Sequence, residues 1–377
     1  MKILVTGDLA IAVPFDADLQ IGDQIKKLFS DSDLNIVNLE SPVTESNNGI
    51  HKTGPHLKGD KNAIEKTLDA LKIDIAVLAN NHMRDYGEKG IADTLDFLNK
   101  NKIRHTGAGM NLEEASKTLF IETKAGKIAI INFAENEWNS AKKNQAGTNP
   151  MDLITNAEQI AEAAKNADIT LVIVHGGHEN YELPSPETRK RYRFYAEQGA
   201  DIVIAHHTHC ISGFEIHKDI PIYYSLGNFL FPTKKQENEN WYQGLILQLE
   251  INKGNIEHQS IPVILDKKNH FFELANDAEK ENINNRIIEL NKIISNDLKL
   301  EEAWEKFVDK RKKEVSKIWS PLFFIKNKYL QLIINKLNIR FLNKKILSAQ
   351  LSRIRCEAHR EIAISTLEKY HSKNKLN

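Results

Sequence analysis

Ile202-Val203-Ile204-Ala205-His206-His207-Thr208-His209 is the stretch from which the rest of the chain is read. An apolar run ending in His-His-x-His reads as a buried strand that stops and turns its last residues toward one point, where neutral imidazoles can coordinate a divalent metal. Histidines grouped in a loop can equally be held by backbone hydrogen bonds. The choice between the two rests on whether other ligand-type residues also follow apolar runs.

They do. Ile3-Leu4-Val5-Thr6 predicts a first strand with Gly7-Asp8 at the turn after it. An Asp at the C-terminal edge of a strand reaches the cleft above a sheet, where hard cations favour carboxylate oxygen. The apolar residues at 34, 36, 37 and 39 make a second strand that puts Asn38 and Glu40 on one face, because strand side chains alternate with period two. Residues 73–79 form a third, ending in Asn80-Asn81-His82 and then Asp85-Tyr86-Gly87. An amide, an imidazole and a carboxylate so close together are more than turn chemistry needs. Residues 168–174 are a near-continuous apolar run of the kind buried on both faces of a sheet, and they end in His175-Gly176-Gly177-His178-Glu179. Residues 220–224 lead into Ser225-Leu226-Gly227-Asn228-Phe229. Helical patterning at 20–29, 64–71, 91–99, 153–166 and 187–198 separates the strands, the order of an α/β protein. Gly107-Ala108-Gly109 lacks the rest of a phosphate-binding fingerprint and reads as structural, while Glu135-Asn136-Glu137-Trp138 makes an acidic, aromatic loop beside the cleft.

The 377 residues suffice for one large domain and a smaller one. With 41 % hydrophobic and 27 % charged residues, the composition is that of a soluble globular protein and argues against disorder. Cys210 and Cys356 stand in no thiolate-metal or disulfide spacing, which fits a reducing compartment. The first residues pass straight into a strand with no signal-peptide apolar region, and no window approaches the ~20 apolar residues of a membrane span. A cytoplasmic location is therefore expected. The net charge of +0 hides an asymmetry: residues 280–377 hold 22 of the 51 Lys+Arg and 11 of the 51 Asp+Glu, so the tail carries +11 and the remainder −11. Beyond about 270 the ligand-type clusters stop and Lys/Asn/Ile/Glu-rich helical patterning begins, which places a boundary between residues 1–268 and 269–377.

Gly7-Asp8, Asn38-Leu39-Glu40-Ser41-Pro42, Leu78-Ala79-Asn80-Asn81-His82 with Asp85-Tyr86-Gly87, His175-Gly176-Gly177-His178-Glu179, His206-His207-Thr208-His209 and Ser225-Leu226-Gly227-Asn228-Phe229 together resemble the CapA family. That family is named for capsule, or poly-γ-glutamate, synthesis and is related to the calcineurin-like metallophosphoesterases. The likeness runs in order from residue 1 to about 265 and does not cover the tail. It implies a four-layer α/β/β/α fold with a central metallophosphatase-like β-sandwich, followed here by a C-terminal helical extension. By position it implies Asp8, Glu40, Asn81, His175, His207 and His209 as ligands of one or two divalent ions (Mn, Fe or Zn), with Glu40 as the bridge. It puts His82 beside a scissile phosphate, where Asp85 or a backbone carbonyl would hold it; Asn38, Asn80, His178, Glu179, His206 and Asn228 are the expected substrate contacts. Where the related phosphoesterases carry Asp-x-His, the residue two after Asp8 is Ala10, and Asn-Leu-Glu replaces Gly-Asp. One metal subsite is weakened by this, and His206 and His178 are the residues placed to compensate.

The function expected from these residues is a metal-dependent hydrolase of phosphoesters, acting on a cell-surface polymer or its phosphorylated precursor. Two alternatives use the same centre: hydrolysis or transfer of a γ-glutamyl amide, and a non-catalytic accessory role in assembling a capsular polymer. The stretch 316–347 mixes apolar and aromatic residues with Lys and Arg at helical spacing, which suits either packing on the catalytic domain or peripheral contact with an anionic membrane. No nucleic-acid module is visible.

Overall fold

The strand Ile169–His175 shows how the layers arise. Its residues are all buried, and Ile169, Leu171 and Ile173 point into one apolar core while Val172 and Val174 point into another. A strand covered on both faces has no need of polar alternation. The computed structural model describes residues 1–11, 20–233, 236, 238–252, 254–266, 270–318, 327–336 and 344–373.

Among these residues there are two large mixed sheets. The first has strands in the order Gln20–Ile21, Phe271–Leu274, Asn255–Asp266, Gln243–Asn252, Lys2–Leu9, Leu34–Leu39, Ile75–Val77 and Arg104–Thr106, with Asn228–Leu230 also paired to Lys2–Leu9. The second runs Phe214–His217, Ile220–Tyr223, Ile202–His206, Ile169–His175, Gly126–Ala134 and Leu119–Thr123. The central strands of both are parallel, so their C-terminal ends open on one side.

Ile3, Val5, Ile36, Ile75 and Val77 of the first sheet share a core with Ile128, Ile130, Leu171, Ile173, Ile202 and Ile204 of the second. On the outer face of the first sheet, Leu4, Val37, Leu39 and Ala76 meet Ile25 and Phe29 of the Asp23–Ser30 helix, Ile64 and Leu68 of Lys61–Ala70, and Ile91 and Leu98 of Gly87–Lys100. On the outer face of the second, Val172, Val174 and Val203 meet Ile160 of Leu153–Asn166 and Tyr192 and Tyr195 of Pro186–Glu197. The layers are therefore α/β/β/α, as expected. The Pro186–Glu197 helix starts where the sequence allows: the Ser185 side chain accepts from the Thr188 amide and Pro186 fills the first turn.

The division of the chain lies further on than the change in composition at 268/269. Residues 1–304 form one compact unit and 305–377 another. The helix Asp277–Ile294 belongs to the first unit because Ile283 and Ile287 join the inter-sheet core and Leu290 and Ile294 the outer one. Asn291 Oδ1 also accepts from the Phe214 amide at 2.7 Å, and Arg189 donates to the Ile294 carbonyl at 2.5 Å. The helix Asp297–Ile318 crosses the division. In the second unit, the helices Lys344–Arg355 and Glu357–Lys373 lie against one another, and Leu347, Leu351 and Ile354 stand 44–46 % exposed one and two turns apart. No described helix is long and apolar enough to cross a membrane. Of the stretch 316–347, residues 319–326 and 337–343 lie outside those described.

Candidate metal centre

Asp8 lies within the Lys2–Leu9 strand and not in a turn after it, because Asn228–Leu230 pairs alongside and extends the ladder. The register shifts at this point against both neighbours, a bulge that re-aims one side chain. Gly7 makes the approach possible. A Cβ there would stand 2.1 Å from the Gly227 carbonyl oxygen, to which the Asp8 amide donates at 3.0 Å. Gly227 itself has φ +68°, a backbone state that other residues adopt only with strain.

The other strand ends converge on Asp8. Asn81 Oδ1 and His207 Nδ1 each lie 3.1 Å from His175 Nε2, and Glu40 Oε1 lies 3.7 Å from it. On the other side, His209 Nε2 is 3.6 Å from Glu40 Oε1 and its Nδ1 is 3.5 Å from Asp8 Oδ2. Donor atoms of Glu40, His175 and His207 thus fall within 4.8 Å of one another, as do those of Asp8, Glu40 and His209. Separations of this size suit donors sharing a cation at about 2.0–2.2 Å. Glu40 is common to both groups, so the five residues, with Asn81 beside them, form two adjoining groups of candidate donors that share one carboxylate.

The polar atoms of the cluster test that reading. Glu40 is fully buried with no hydrogen-bond donor on either carboxylate oxygen and with the Asp8 carboxyl beside it, close enough to share a proton, and neither ring nitrogen of buried His206 has a hydrogen-bond partner. Buried polar groups are almost always paired, and a lone buried carboxylate is costly. Divalent cations meet the need, so the donor set fits them. Burial pushes the Asp8 carboxyl up to about 7, and burial followed by the charges of Asp8 and Glu179 pushes Glu40 well above the carboxylate range. Burial likewise drives His206 and His207 down to about 3 and His209 to about 4, with His175 also well below its usual value. These are neutral imidazoles, the form that ligates, and bound dications reverse the penalty on the carboxylates. His207 and His209 have φ of +93° and +56°, left-handed values that cost about 1–3 kcal/mol each and mark a backbone bent to aim side chains.

Around the donors lies a supporting layer. Asn228 Oδ1 sits 3.0 Å from His209 Nδ1 while its Nδ2 donates to the Trp241 carbonyl at 3.0 Å, which leaves His209 Nε2 for a cation. Asn38 Nδ2 donates to Asp8 Oδ1 at 2.6 Å. Asn80, 0 % exposed, accepts from the His82 and Met83 amides and donates to the Leu39 carbonyl. All three asparagines and His206 are buried, the asparagines bonded to Asp8, the 80–83 turn and His209. His178, half-buried, and Glu179, exposed, remain at the rim. Glu137 joins them: its Oε1 lies 3.4 Å from Asn81 Nδ2.

His82 turns its Nδ1 to Asp85 Oδ2 at 2.7 Å. Ala10 is fully buried in the outer apolar core and offers no ligand. Two residues escaped the sequence reading. Asn132 accepts from the Ala79 amide at 2.6 Å and donates to the Ile173 carbonyl at 3.1 Å, tying the two sheets together below the site, and Lys52 stands against Asp85. A lone Asn inside a strand and a Lys in an irregular loop carry no sequence signal for this. A cavity of 980 Å³ lined by Glu135, Met151, Arg191 and Phe194 among others lies apart, with no residue of the centre in its wall.

The family described as "Bacterial capsule synthesis protein PGA_cap" matches residues 2–233, a span that contains all six donor residues, His82 and Asp85. The PGA biosynthesis protein CapA of Bacillus subtilis (strain 168) is 32 % identical over 250 residues, 61 % of this chain and 66 % of that protein. The capsule biosynthesis protein CapA of Bacillus anthracis is 29 % identical over 268 residues, 64 % of each chain. The chain spans just under two thirds of the length of these relatives. Among solved structures, a novel phosphatase from Mycoplasma pneumoniae is similar with a TM-score of 0.45 at 14 % identity, over 74 % of this chain and 96 % of that one.

Proposed function

The chain belongs to the bacterial capsule synthesis protein family, and from that premise we propose that it is a metal-dependent phosphoester hydrolase working in capsule, exopolysaccharide or poly-γ-glutamate biosynthesis. The observation that supports the reading is Glu40, fully buried beside Asp8 with no hydrogen-bond donor on either carboxylate oxygen and shared by the His175/His207 and Asp8/His209 groups. Asp8, Glu40 and His209 would hold one divalent ion, and Glu40, Asn81, His175 and His207 the other. Such a pair supplies an acidified water and neutralises charge on phosphoryl oxygens.

The chain's own groups do the rest. With Nδ1 of His82 committed to Asp85, Nε2 is the ring atom that meets the leaving oxygen. As the P–O bond breaks, its electron pair stays on the leaving oxygen, which takes a proton from Nε2; water forms the new P–O bond and returns a proton through solvent. Glu137 and Glu179 at the rim disfavour a second anionic group close to the phosphate. The substrate class in this reading is a cell-surface polymer or its phosphorylated precursor. The basic second unit, with 18 Lys+Arg against 6 Asp+Glu in residues 305–377 and an exposed apolar stripe, suits contact with an anionic membrane surface.

Ala10 favours one other reading, an accessory subunit that retains the centre without turnover, because no histidine stands there. The test is metal content by elemental analysis together with hydrolysis of bis-p-nitrophenyl phosphate and p-nitrophenyl phosphate, with and without added Mn²⁺, in wild type, His207→Ala and Asn81→Ala. Metal-dependent turnover lost in both variants is expected. Stoichiometric metal without turnover transfers the assignment to the accessory role or to γ-glutamyl amide chemistry, and a protein that takes up no metal overturns the centre.

A further inference from the structure

We propose that Lys52 is a positioning residue for catalysis, holding Asp85 and through it the ring of His82; the inference rests on the hydrolase reading above. Lys52 Nζ makes an ion pair with Asp85 Oδ1, the two side chains 3 % and 1 % exposed, and lies 3.4 Å from His82 Nδ1. Asp85 Oδ2 faces His82 Nδ1 at 2.7 Å and accepts from the Leu57 amide at 2.8 Å. The Asp85 backbone is engaged as well: its amide donates to the His82 carbonyl and its carbonyl accepts from the Ile50 amide, both at 2.9 Å.

Residues 42–59 therefore form a loop wrapped on one carboxylate. It leaves directly after Glu40, and it closes where the Gly59 amide donates to the Pro42 carbonyl at 2.8 Å. Closing such a loop needs no charge, since backbone amides already do it. Burying an ammonium group is expensive, and an apolar side chain of similar volume would serve packing as well or better. What the ammonium adds is specific to Asp85. With Lys52 on Oδ1 and Leu57 on Oδ2, the carboxylate is held in one rotation, and the remaining direction of Oδ2 points at His82. Without Lys52, Oδ1 is a buried charge with no partner, and the Leu57 amide on Oδ2 alone no longer fixes the rotation of the carboxylate toward the ring it orients.

The measurement uses the metal-loaded full chain and the variants Lys52→Met, Lys52→Gln and Lys52→Arg, with p-nitrophenyl phosphate and phenyl phosphate as substrates. A poorer leaving group depends more on the His82 proton. For Lys52→Met we expect kcat on phenyl phosphate to fall about 10²-fold and on p-nitrophenyl phosphate by much less, with KM and metal content unchanged and Lys52→Arg recovering most of the loss. Equal losses on both esters, or a rise in KM alone, overturn the proposal in favour of a loop anchor. Lys52→Gln keeps a hydrogen-bond donor without the charge, so it carries the same comparison if Lys52→Met does not fold.

A second readout does not depend on turnover. In ¹⁵N-histidine NMR spectra, with His82→Asn to assign the signal, the Nδ1 proton of His82 is expected to be protected from exchange in wild type and to lose that protection in Lys52→Gln. An unchanged signal overturns the role of Lys52 even if the wild type hydrolyses neither ester, which is the outcome that counts against the hydrolase reading itself.

Discussion

Replacing Asn228 by Ala separates the two cation sites. The Asn228 side chain is bonded to one donor, its Oδ1 3.0 Å from His209 Nδ1, while its Nδ2 donates to the Trp241 carbonyl at 3.0 Å; its pairing with Asp8 is through the backbone and survives the truncation. The truncation removes both contacts in a position 3 % exposed. Loss of the partner that orients a ligating imidazole typically weakens metal binding about 10- to 100-fold, or about 1.4–2.7 kcal/mol. The Trp241 carbonyl, left buried, adds about 1–3 kcal/mol of destabilisation to the metal-free fold. Titration of the metal-free protein with Mn²⁺ or Zn²⁺ by calorimetry should resolve two events in wild type, of which one weakens in Asn228→Ala. The event assigned to Asn81, His175 and His207 should keep its affinity, since none of those side chains contacts Asn228 in the observed bonding. Equal weakening of both events, or of neither, refutes the division of donors into two sites around Glu40.

Other consequences are simpler to check. Gly7→Ala puts a methyl group 2.1 Å from a backbone oxygen, a clash that no side-chain rotation relieves, so urea denaturation should show a loss of at least about 1–3 kcal/mol; an unchanged midpoint would mean that the strands can separate there at no cost. Cys210 is buried and its thiol is pushed up to about 12 by burial, so its thiolate fraction stays negligible at pH 8 and the thiol reacts only once the pH approaches that value or the fold opens. Ellman's reagent should accordingly titrate Cys356 alone in the native protein and both cysteines in denaturant, and two fast native thiols would contradict the burial. Vesicles containing phosphatidylserine should retain the full chain at low salt and release it as salt rises, because the attraction of Lys and Arg is screened while the apolar stripe alone binds weakly; no retention on anionic vesicles removes membrane contact from the assignment.

Much of this was legible because strand ends are local. A run such as 202–204 followed by His206, His207 and His209 brings candidate donors to one edge of the sheet, as do the runs before Glu40, Asn81 and His175, whereas Asp8 is aimed from inside its strand by a bulge. Period and burial likewise announced the α/β order, since a strand such as Ile169–His175 that is apolar on every residue needs cover on both faces. Residue type narrowed the chemistry to mixed imidazole and carboxylate ligation of divalent ions.

What tertiary structure alone decided is how residues distant in sequence share these groups. Only the fold shows that Asn38, Asn80 and Asn228 turn onto Asp8, the 80–83 turn and His209, and that Lys52 reaches Asp85 across 33 positions. The helix Asp277–Ile294 makes the same point: its composition reads with the tail, yet Ile283, Ile287 and Leu290 are taken up by the sandwich. Composition and period report which face of an element is apolar, whereas which partner covers that face, and which lone pair meets which proton, depends on contacts between segments that local pattern does not encode.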